Sequence, residues 1–219
     1  MKIPTKKDEQ RQASIENILR CSLNLFVTNG YRATTLDHIA AKAGLTKGAI
    51  YFYFKTKEAI MLKLLDEAEE YVVAPIPDYI KSAGPSADAK LVKFIHTQSQ
   101  LGLIRPQHVL LLILVSIEFS DTGSEIGARV SAIYDKMYAE VESIVAQGQR
   151  EHVFQTDLAS HDLTAIIMAG HDGVLIEWYR RPNKLKGKNL TNALRATLLN
   201  GLRYQTPEAR SEAQLQEKV

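Results

Sequence analysis

Several features that mark particular classes of protein are scarce or absent in this chain of 219 residues. Its single cysteine, Cys21, cannot form a disulfide within the chain, so the fold does not need an oxidising compartment. The longest uninterrupted apolar run, residues 109–115, is far shorter than the about 20 residues that a membrane-spanning helix needs. The N-terminal residues carry charges but no apolar segment of the signal-peptide type. These absences lead us to expect a cytoplasmic protein.

Signatures of catalysis and of metal binding are also absent from the sequence. It has no glycine-rich phosphate loop, no HExxH or GxSxG motif and no paired-carboxylate signature. The six histidines include no pair spaced four residues apart, and there is no cysteine cluster. An enzyme is therefore disfavoured, and we expect neither a bound metal nor a cofactor.

Charge is nearly balanced over the whole chain but is distributed unevenly along it. The formal net charge is +2, which by itself predicts no partner. Residues 1–57 contain ten Lys and Arg against four Asp and Glu, a net charge of +6, whereas the rest of the chain carries −4. Such asymmetry is typical of a basic nucleic-acid module joined to an ordinary globular body.

The basic part contains the stretch TTLDHIAAKAGLTKGAIYFYFKTK, residues 34–57, which predicts two short helices joined by a tight turn. Thr34 or Thr35 can cap the first helix, and Thr46 can cap the second, by accepting a backbone N–H bond. Gly44 lets the chain leave the first helix abruptly because it has no Cβ to clash. This is the pattern of a helix-turn-helix, whose second helix lies in the DNA major groove.

Residues on both sides of the motif extend the pattern. An amphipathic helix from Ser14 to Thr28 precedes it, and an aromatic run followed by lysines ends it. The pattern consists of Gly30-Tyr31, Thr34-Thr35, Ile39-Ala40, Ala43-Gly44, Thr46-Lys47-Gly48, Tyr51, Tyr53-Phe54 and Lys57. In this register, roughly the first quarter of the chain strongly resembles the DNA-binding domain of the TetR/AcrR family of transcriptional repressors. The resemblance implies a regulator that binds palindromic operator DNA as a dimer.

Side-chain chemistry predicts which residues of the motif read base edges. Lys47 can donate to guanine acceptors, and Thr46 can bond to a base or offer its methyl group to thymine. Gly48 lets the backbone approach the DNA closely, and Ala49 completes the exposed first turn. Phe52 either touches thymine methyl groups or packs inwards, and the sequence leaves both possibilities open.

A second group is expected to hold the phosphate backbone. Tyr51 and Tyr53 can present hydroxyl groups to phosphates, although Tyr53 could instead pack against Phe26. For Tyr51 and Lys57 the resemblance implies the same role. By their side-chain chemistry, Arg32, Thr34, Thr35 and Lys57 can also hold the phosphate backbone.

Beyond residue 57 the sequence predicts an all-α body, because no segment alternates at the period of a strand. We expect about six helices around one core, with a ligand-binding and dimerisation domain over residues 58–205 and a polar tail over 206–219. The main predicted helices are 56–73, 87–102, 106–119, 125–149, 160–179 and 190–204. The resemblance implies that helices 160–179 and 190–204 pair with their counterparts in a second subunit.

The resemblance also implies a small-molecule inducer bound in the body, with helix 56–73 as the lever to the DNA-binding domain. The body is rich in apolar side chains, so we expect a mainly hydrophobic or amphipathic inducer. The alternative is a protein of the same fold that binds no ligand and is regulated by a protein partner. The candidate ligand contacts, each of which could instead serve only packing, are Phe94, Gln98, Phe119, Tyr134, Tyr138, His171 and Trp178.

Overall fold

The computed structural model describes residues 5–120 and 122–203. These residues form ten α-helices and no β-strand, which confirms the all-α prediction. No single helix among them is both long and apolar enough to cross a membrane. In chain order the helices are α1 Lys6–Asn29, α2 Leu36–Ala43, α3 Lys47–Tyr53, α4 Lys57–Ala68, α5 Ile76–Lys81, α6 Ala87–Ile104, α7 Pro106–Glu118, α8 Glu125–Arg150, α9 Ser160–Arg180 and α10 Gly187–Leu202.

Helix α1 begins earlier than the apolar pattern predicts. Thr5 accepts a hydrogen bond from the backbone N–H of Asp8, and the Asp8 carboxylate accepts one from the backbone N–H of Thr5. This reciprocal capping box satisfies two backbone donors at the start of the helix. The first two turns of α1 are therefore helical although they bury no apolar face.

Helix α4 is shorter than the predicted helix over 56–73, because its last turn changes type. Residues Glu69–Val73 form a π-helical turn, and α5 follows with Pro75 as its N-cap and Pro77 in its first turn. Proline fits there because the first N–H groups of a helix have no intrahelical partner. Arg129 of α8 donates to the carboxylates of Asp66 and Glu69, on either side of this change.

The described residues form two compact units, and the expected single core of the body stays a prediction. The first unit takes its described residues from Met1–Ala74 and Leu103–Tyr134, and the second from Pro75–Gly102 and Asp135–Val219. These units do not follow the expected division after residue 57, which stays a prediction about function. The predicted tail over 206–219 and the end of the predicted last helix at Tyr204 lie outside the described residues.

In the first unit, α1 packs against α2, α4 and α7. The apolar run of α7 is mostly buried, and Ile18, Ile39, Ile50 and Ile60 are completely buried. The three helices α1, α2 and α3 therefore rest on a shared core together with α4 and α7. This packing holds the exposed parts of α2 and α3 in place.

In the second unit, α9 packs against α10. A methyl group on Gly170 would lie 2.9 Å from Cδ1 of Leu194, so Gly170 permits the close approach of α10 within the chain. A methyl group on Gly173 would meet nothing within 4 Å. The close approach at Gly170 is thus intramolecular, whereas α9 is open at Gly173.

The segment between α8 and α9 is held against the end of α10. Gln155 donates its backbone N–H to the carbonyl of Leu202 at 2.7 Å, and Phe154 forms an isolated bridge with Arg203. The ring of Phe154 is buried against Gly148, where any side chain would overlap it. Phe154 therefore packs the link between α8 and α9.

Candidate nucleic-acid interface

Two helix N-caps and one glycine C-cap determine the local geometry of the α2–turn–α3 hairpin. Thr35 caps α2 by accepting the backbone N–H of His38 at 3.2 Å, so Thr35 rather than Thr34 is the cap. Gly44 ends α2 in the left-handed conformation with φ of +67°, and the N–H of Leu45 bonds back to the carbonyl of Ala40. Thr46 then caps α3 by accepting the N–H of Ala49 at 3.2 Å. The geometry is that of a helix-turn-helix.

The first turn of α3 presents the predicted base-reading residues to solvent. Thr46, Lys47 and Gly48 are exposed, and Ala49 is half-buried. Ile50, the next residue, is completely buried and anchors the helix to the core. Four consecutive positions thus form one accessible edge, which we call the α3 edge and define as residues 46–49.

Lys47 is paired with an acidic residue of the preceding helix. Its Nζ lies 2.8 Å from Oδ2 of Asp37, and both side chains are more than half exposed. The hydrogen bond that Lys47 donates to the Asp37 carboxylate, and then the negative charge of that carboxylate, raise the pKa of Lys47 above its ordinary value. Lys47 therefore keeps its positive charge at the α3 edge.

The aromatic run after the α3 edge is divided between solvent and core. Phe52 is 71% exposed, so of its two predicted placements the structure shows the outward one. Tyr51 is 41% exposed, which leaves its side chain accessible. Tyr53 is half-buried, and its ring meets that of Phe52 edge-on at 5.1 Å, whereas Phe26 pairs with Tyr31.

The corner between α1 and α2 uses two of the predicted phosphate contacts internally. Thr34 is fully buried, and its hydroxyl donates to the carbonyl of Gly30 at 2.8 Å, so the expected side-chain contact with phosphate is corrected. The ammonium of Lys57 donates to the carbonyls of Tyr31 and Thr34, each at 2.7 Å, and lies 4.1 Å from the centre of the Tyr31 ring. Burial lowers the pKa of Lys57 below its ordinary value. These two side chains stabilise the corner.

Arg32 and Thr35 remain on the surface of the same corner. The side chain of Arg32 is 80% exposed, with its Nε 3.5 Å from a carboxylate oxygen of Glu118. Thr35 is exposed although its hydroxyl caps α2. The N-terminus of α2 therefore lies beside an accessible arginine, an arrangement suited to a phosphate group.

Five of the seven predicted ligand contacts lie in the second unit. Phe94 and Gln98 are buried on α6, and the ring of Phe94 lies 6.2 Å from that of His171. Nδ1 of His171 lies 2.8 Å from Oδ1 of Asp172, and burial raises the pKa of Tyr138, to which the charge of Asp172 contributes. Trp178 is half-buried on α9. Phe94 and His171 are thus in one neighbourhood, and a ligand contact of any of the five stays a prediction.

The other two predicted ligand contacts, Phe119 and Tyr134, belong to the first unit. The ring of Phe119 meets that of Tyr31 at 5.2 Å, nearly perpendicular to it. Tyr134 is half-buried on α8. Phe119 therefore packs on the α1–α2 corner, which is the packing role that the sequence left open beside a ligand contact.

The first unit carries two surface grooves that the sequence did not predict. An apolar groove of about 270 Å³ lies between α1, α4 and α7, with Leu111, Leu114 and Ile117 of α7 in its wall. A second groove of about 480 Å³ is lined by Tyr71 and His108, among others. None of the predicted ligand residues lines either groove. Among the described residues, no group of three His, Cys, Asp or Glu side chains could hold a metal ion.

Comparison with known proteins shows the family. The sequence profile of the bacterial regulatory proteins of the tetR family matches residues 18–64, which include α2, α3 and the α3 edge. The crystal structure of the MbdR regulator from Azoarcus sp. CIB is 67% identical in sequence, covers 86% of this chain and 98% of its own, and has a TM-score of 0.80. This chain belongs to the TetR family of transcriptional regulators.

Two further TetR-family relatives are more distant. The fatty acid metabolism regulator protein of Bacillus subtilis (strain 168) is 23% identical over 194 residues, which are 89% of this chain and 98% of that protein. The structure of the regulator FadR from Bacillus subtilis in complex with stearoyl-CoA is 21% identical, covers 86% of this chain and 99% of its own, and has a TM-score of 0.68. All three relatives are named as regulators, in agreement with the expectation that the chain is not an enzyme.

Proposed function

We propose that this TetR-family regulator represses transcription by binding a palindromic operator as a homodimer, and that a mainly hydrophobic inducer releases it. The observation that carries the proposal is the α3 edge, where Thr46, Lys47 and Gly48 are exposed directly above a buried anchor at Ile50. The N-terminal residues of a recognition helix are the ones that meet base edges in the major groove. The net charge of +6 over residues 1–57 supports attraction to DNA.

The dimer is proposed because one short helix reads few base pairs. Two copies related by a two-fold axis would read two half-sites about 10 bp or a multiple apart. Helices α9 and α10 are the proposed interface. In its support, α9 carries an exposed row of small or apolar residues at helical spacing, namely Ala165, Ile166 and Ala169, and it is open at Gly173. Small residues allow the helices of two subunits to approach closely.

The proposed inducer is hydrophobic or amphipathic, such as an acyl or aromatic compound. The apolar character of α7 and the buried aromatic and apolar residues of α6 support this class. Stearoyl-CoA, which the FadR structure contains, is an example of it. Induction requires that the inducer favour a conformation to which DNA binds poorly. We propose that the protein acts in the cytoplasm, where chromosomal DNA is accessible.

Selection from a library of randomised duplexes tests the proposal for DNA. The selected sequence should be palindromic, and fluorescence anisotropy should show that affinity falls as the salt concentration rises. Sedimentation on the same samples should show two protein chains per duplex. A selection that enriches no sequence over the starting library would contradict the proposed operator binding.

Stearoyl-CoA and coenzyme A without an acyl chain form a matched pair of probes for induction. The acyl form should weaken operator binding by a factor in the range of about 5–150, and coenzyme A alone should not. By reciprocity, operator should weaken ligand binding by the same factor. If a ligand that co-purifies with the protein binds equally well with and without operator, the protein-partner alternative becomes the better explanation.

A further inference from the structure

Asp37 is an acidic residue at the proposed DNA-binding surface. It lies in the first turn of α2, two residues after the cap Thr35, and its carboxylate is 2.8 Å from the ammonium of Lys47 in the α3 edge. The side chains of Asp37 and Lys47 are 59% and 57% exposed, so DNA can reach both. The N-terminus of α2 is also the place where a DNA phosphate would be attracted by free backbone N–H groups.

An ammonium group has three N–H donors. The pair of Lys47 and Asp37 can therefore favour a base edge over a phosphate. When Lys47 donates to the neutral N7 and O6 acceptors of guanine, it still has a donor for Asp37, and the two bonds coexist. When Lys47 instead meets a phosphate, the phosphate and the Asp37 carboxylate are two anions next to one cation. Like charges placed together are unfavourable, so the carboxylate opposes the phosphate contact.

We propose that Asp37 is a specificity-determining residue, an inference that rests on the proposed function. Asp37 positions Lys47 for a base edge, and it weakens the contacts of Lys47 with the phosphates of arbitrary DNA. Phosphate contacts supply most of the affinity for non-specific DNA. Asp37 therefore lowers non-specific binding more than operator binding.

The test uses Asp37→Asn, which removes the charge but keeps the shape of the side chain. Glu16→Gln is the matched control, because Glu16 is an exposed acid of α1 whose carboxylate accepts from Gln12 and not from a lysine. Both variants and the parent protein are titrated with the selected palindrome and with a scrambled duplex over a series of salt concentrations. Asp37→Asn should bind the scrambled duplex about two- to fivefold more tightly, the range of an exposed ion pair.

For Asp37→Asn the ratio of palindrome to scrambled affinity should fall, and the salt dependence on the scrambled duplex should become steeper by up to about one counterion. Glu16→Gln should leave the ratio unchanged. Equal shifts for the two variants on the scrambled duplex would overturn the inference. So would an effect of Asp37→Asn that persists in the Lys47→Ala background, because the double-mutant cycle isolates the pair.

The two proposals fail in different ways. A parent protein that does not distinguish the palindrome from the scrambled duplex contradicts the proposed function, whereas the scrambled duplex still tests Asp37. Asp37→Ala serves as a second variant, and the thermal unfolding of every variant is measured. These two controls separate an effect on DNA binding from an effect on protein stability. A change in stability without a change in salt dependence on the scrambled duplex would overturn the role of Asp37.

Discussion

Lys57 directs its ammonium into the protein, towards the carbonyls of Tyr31 and Thr34, which end the corner between α1 and α2. Hydrogen bonds from a charged donor stabilise more than neutral ones. The ring of Tyr31 beneath the ammonium adds a cation–π contact. Lys57 thus ties the start of α4 to the corner that precedes the helix-turn-helix, and its implied contact with DNA stays a prediction.

Replacing Lys57 by Met keeps the apolar stem and removes both charged hydrogen bonds. We expect the free energy of unfolding to fall by about 1–3 kcal/mol, because two part-buried carbonyls lose a hydrogen bond from a charged donor. Urea unfolding followed by circular dichroism measures this. Lys55→Met is the matched control, since Lys55 is exposed. Equal losses in the two variants would show that the internal bonds of Lys57 contribute nothing to stability.

The sequence predicted the accessible side chains of the candidate site better than the buried ones. Thr46, Lys47 and Gly48 were expected at the first turn of α3 and are exposed there. Thr34 and Thr35 are chemically identical neighbours, so the sequence could not decide which one caps α2 and which one is buried. The pairing of Lys47 with Asp37, ten residues apart, was also beyond a spacing argument, because it depends on the angle between α2 and α3.

Gly44 ends α2 and Gly48 lies within α3, and the two glycines have different roles. Gly44 has φ of +67°, a conformation that side chains with a Cβ rarely adopt. Gly48 lies within α3, where a methyl group would meet nothing closer than Oγ1 of Thr46 at 4.0 Å. Of these two positions, only 44 has a backbone conformation that requires glycine.

Substitution by alanine should separate these two roles. Gly44→Ala should lower the free energy of unfolding by about 1–2 kcal/mol, because it forces a left-handed conformation on a residue with a Cβ. Gly48→Ala should raise it by about 0.5–1 kcal/mol, because alanine is the better helix former. Gly48→Ala should nevertheless weaken operator binding if its backbone approaches the bases. Urea unfolding and anisotropy measure the two effects, and an unchanged operator affinity in Gly48→Ala would place the DNA elsewhere on α3.

Helix positions were largely predictable from the sequence, and the differences have local causes. Helix α8 matches the predicted helix over 125–149, and its periodic apolar positions from Ile126 to Ile144 are buried. The first turns of α1 lack that periodicity, and only the capping residues Thr5 and Asp8 could have indicated them. The π-helical turn at Glu69–Val73 leaves no comparable signal in the sequence, and the ion pairs of Arg129 with Asp66 and Glu69 beside it join segments that are far apart in the chain.

The division of the described residues into two units was not predictable from the sequence. A helical pattern shows which face of a helix is buried but not which other helix covers it. Phe119 and Tyr134 were grouped with Phe94 as ligand contacts because all three lie on apolar faces, yet they belong to different units. A ligand site assembled from distant helices therefore needs the tertiary structure, whereas a DNA-reading hairpin of about twenty residues does not.

At the scale of the whole molecule, the proposed dimer interface on α9 can be tested directly. The structure provides a matched pair of exposed residues for this test. Ile166 on α9 is 64% exposed in the single chain, and Ile117 on α7 is 67% exposed. A glutamate at either position would be tolerated by the isolated chain, because both side chains face solvent. Only at Ile166 would dimer formation bury the carboxylate, and an unpaired buried charge is strongly unfavourable.

Ile166→Glu should therefore sediment as a monomer at micromolar concentration and keep its helical circular dichroism spectrum. Its affinity for the palindromic operator should fall towards that for a single half-site, because the two recognition helices are no longer linked. Ile117→Glu should remain dimeric. If Ile166→Glu also sediments as a dimer, the exposed row of α9 is not the interface. Loss of the dimer in both variants would mean that added negative charge, rather than burial at α9, separates the subunits.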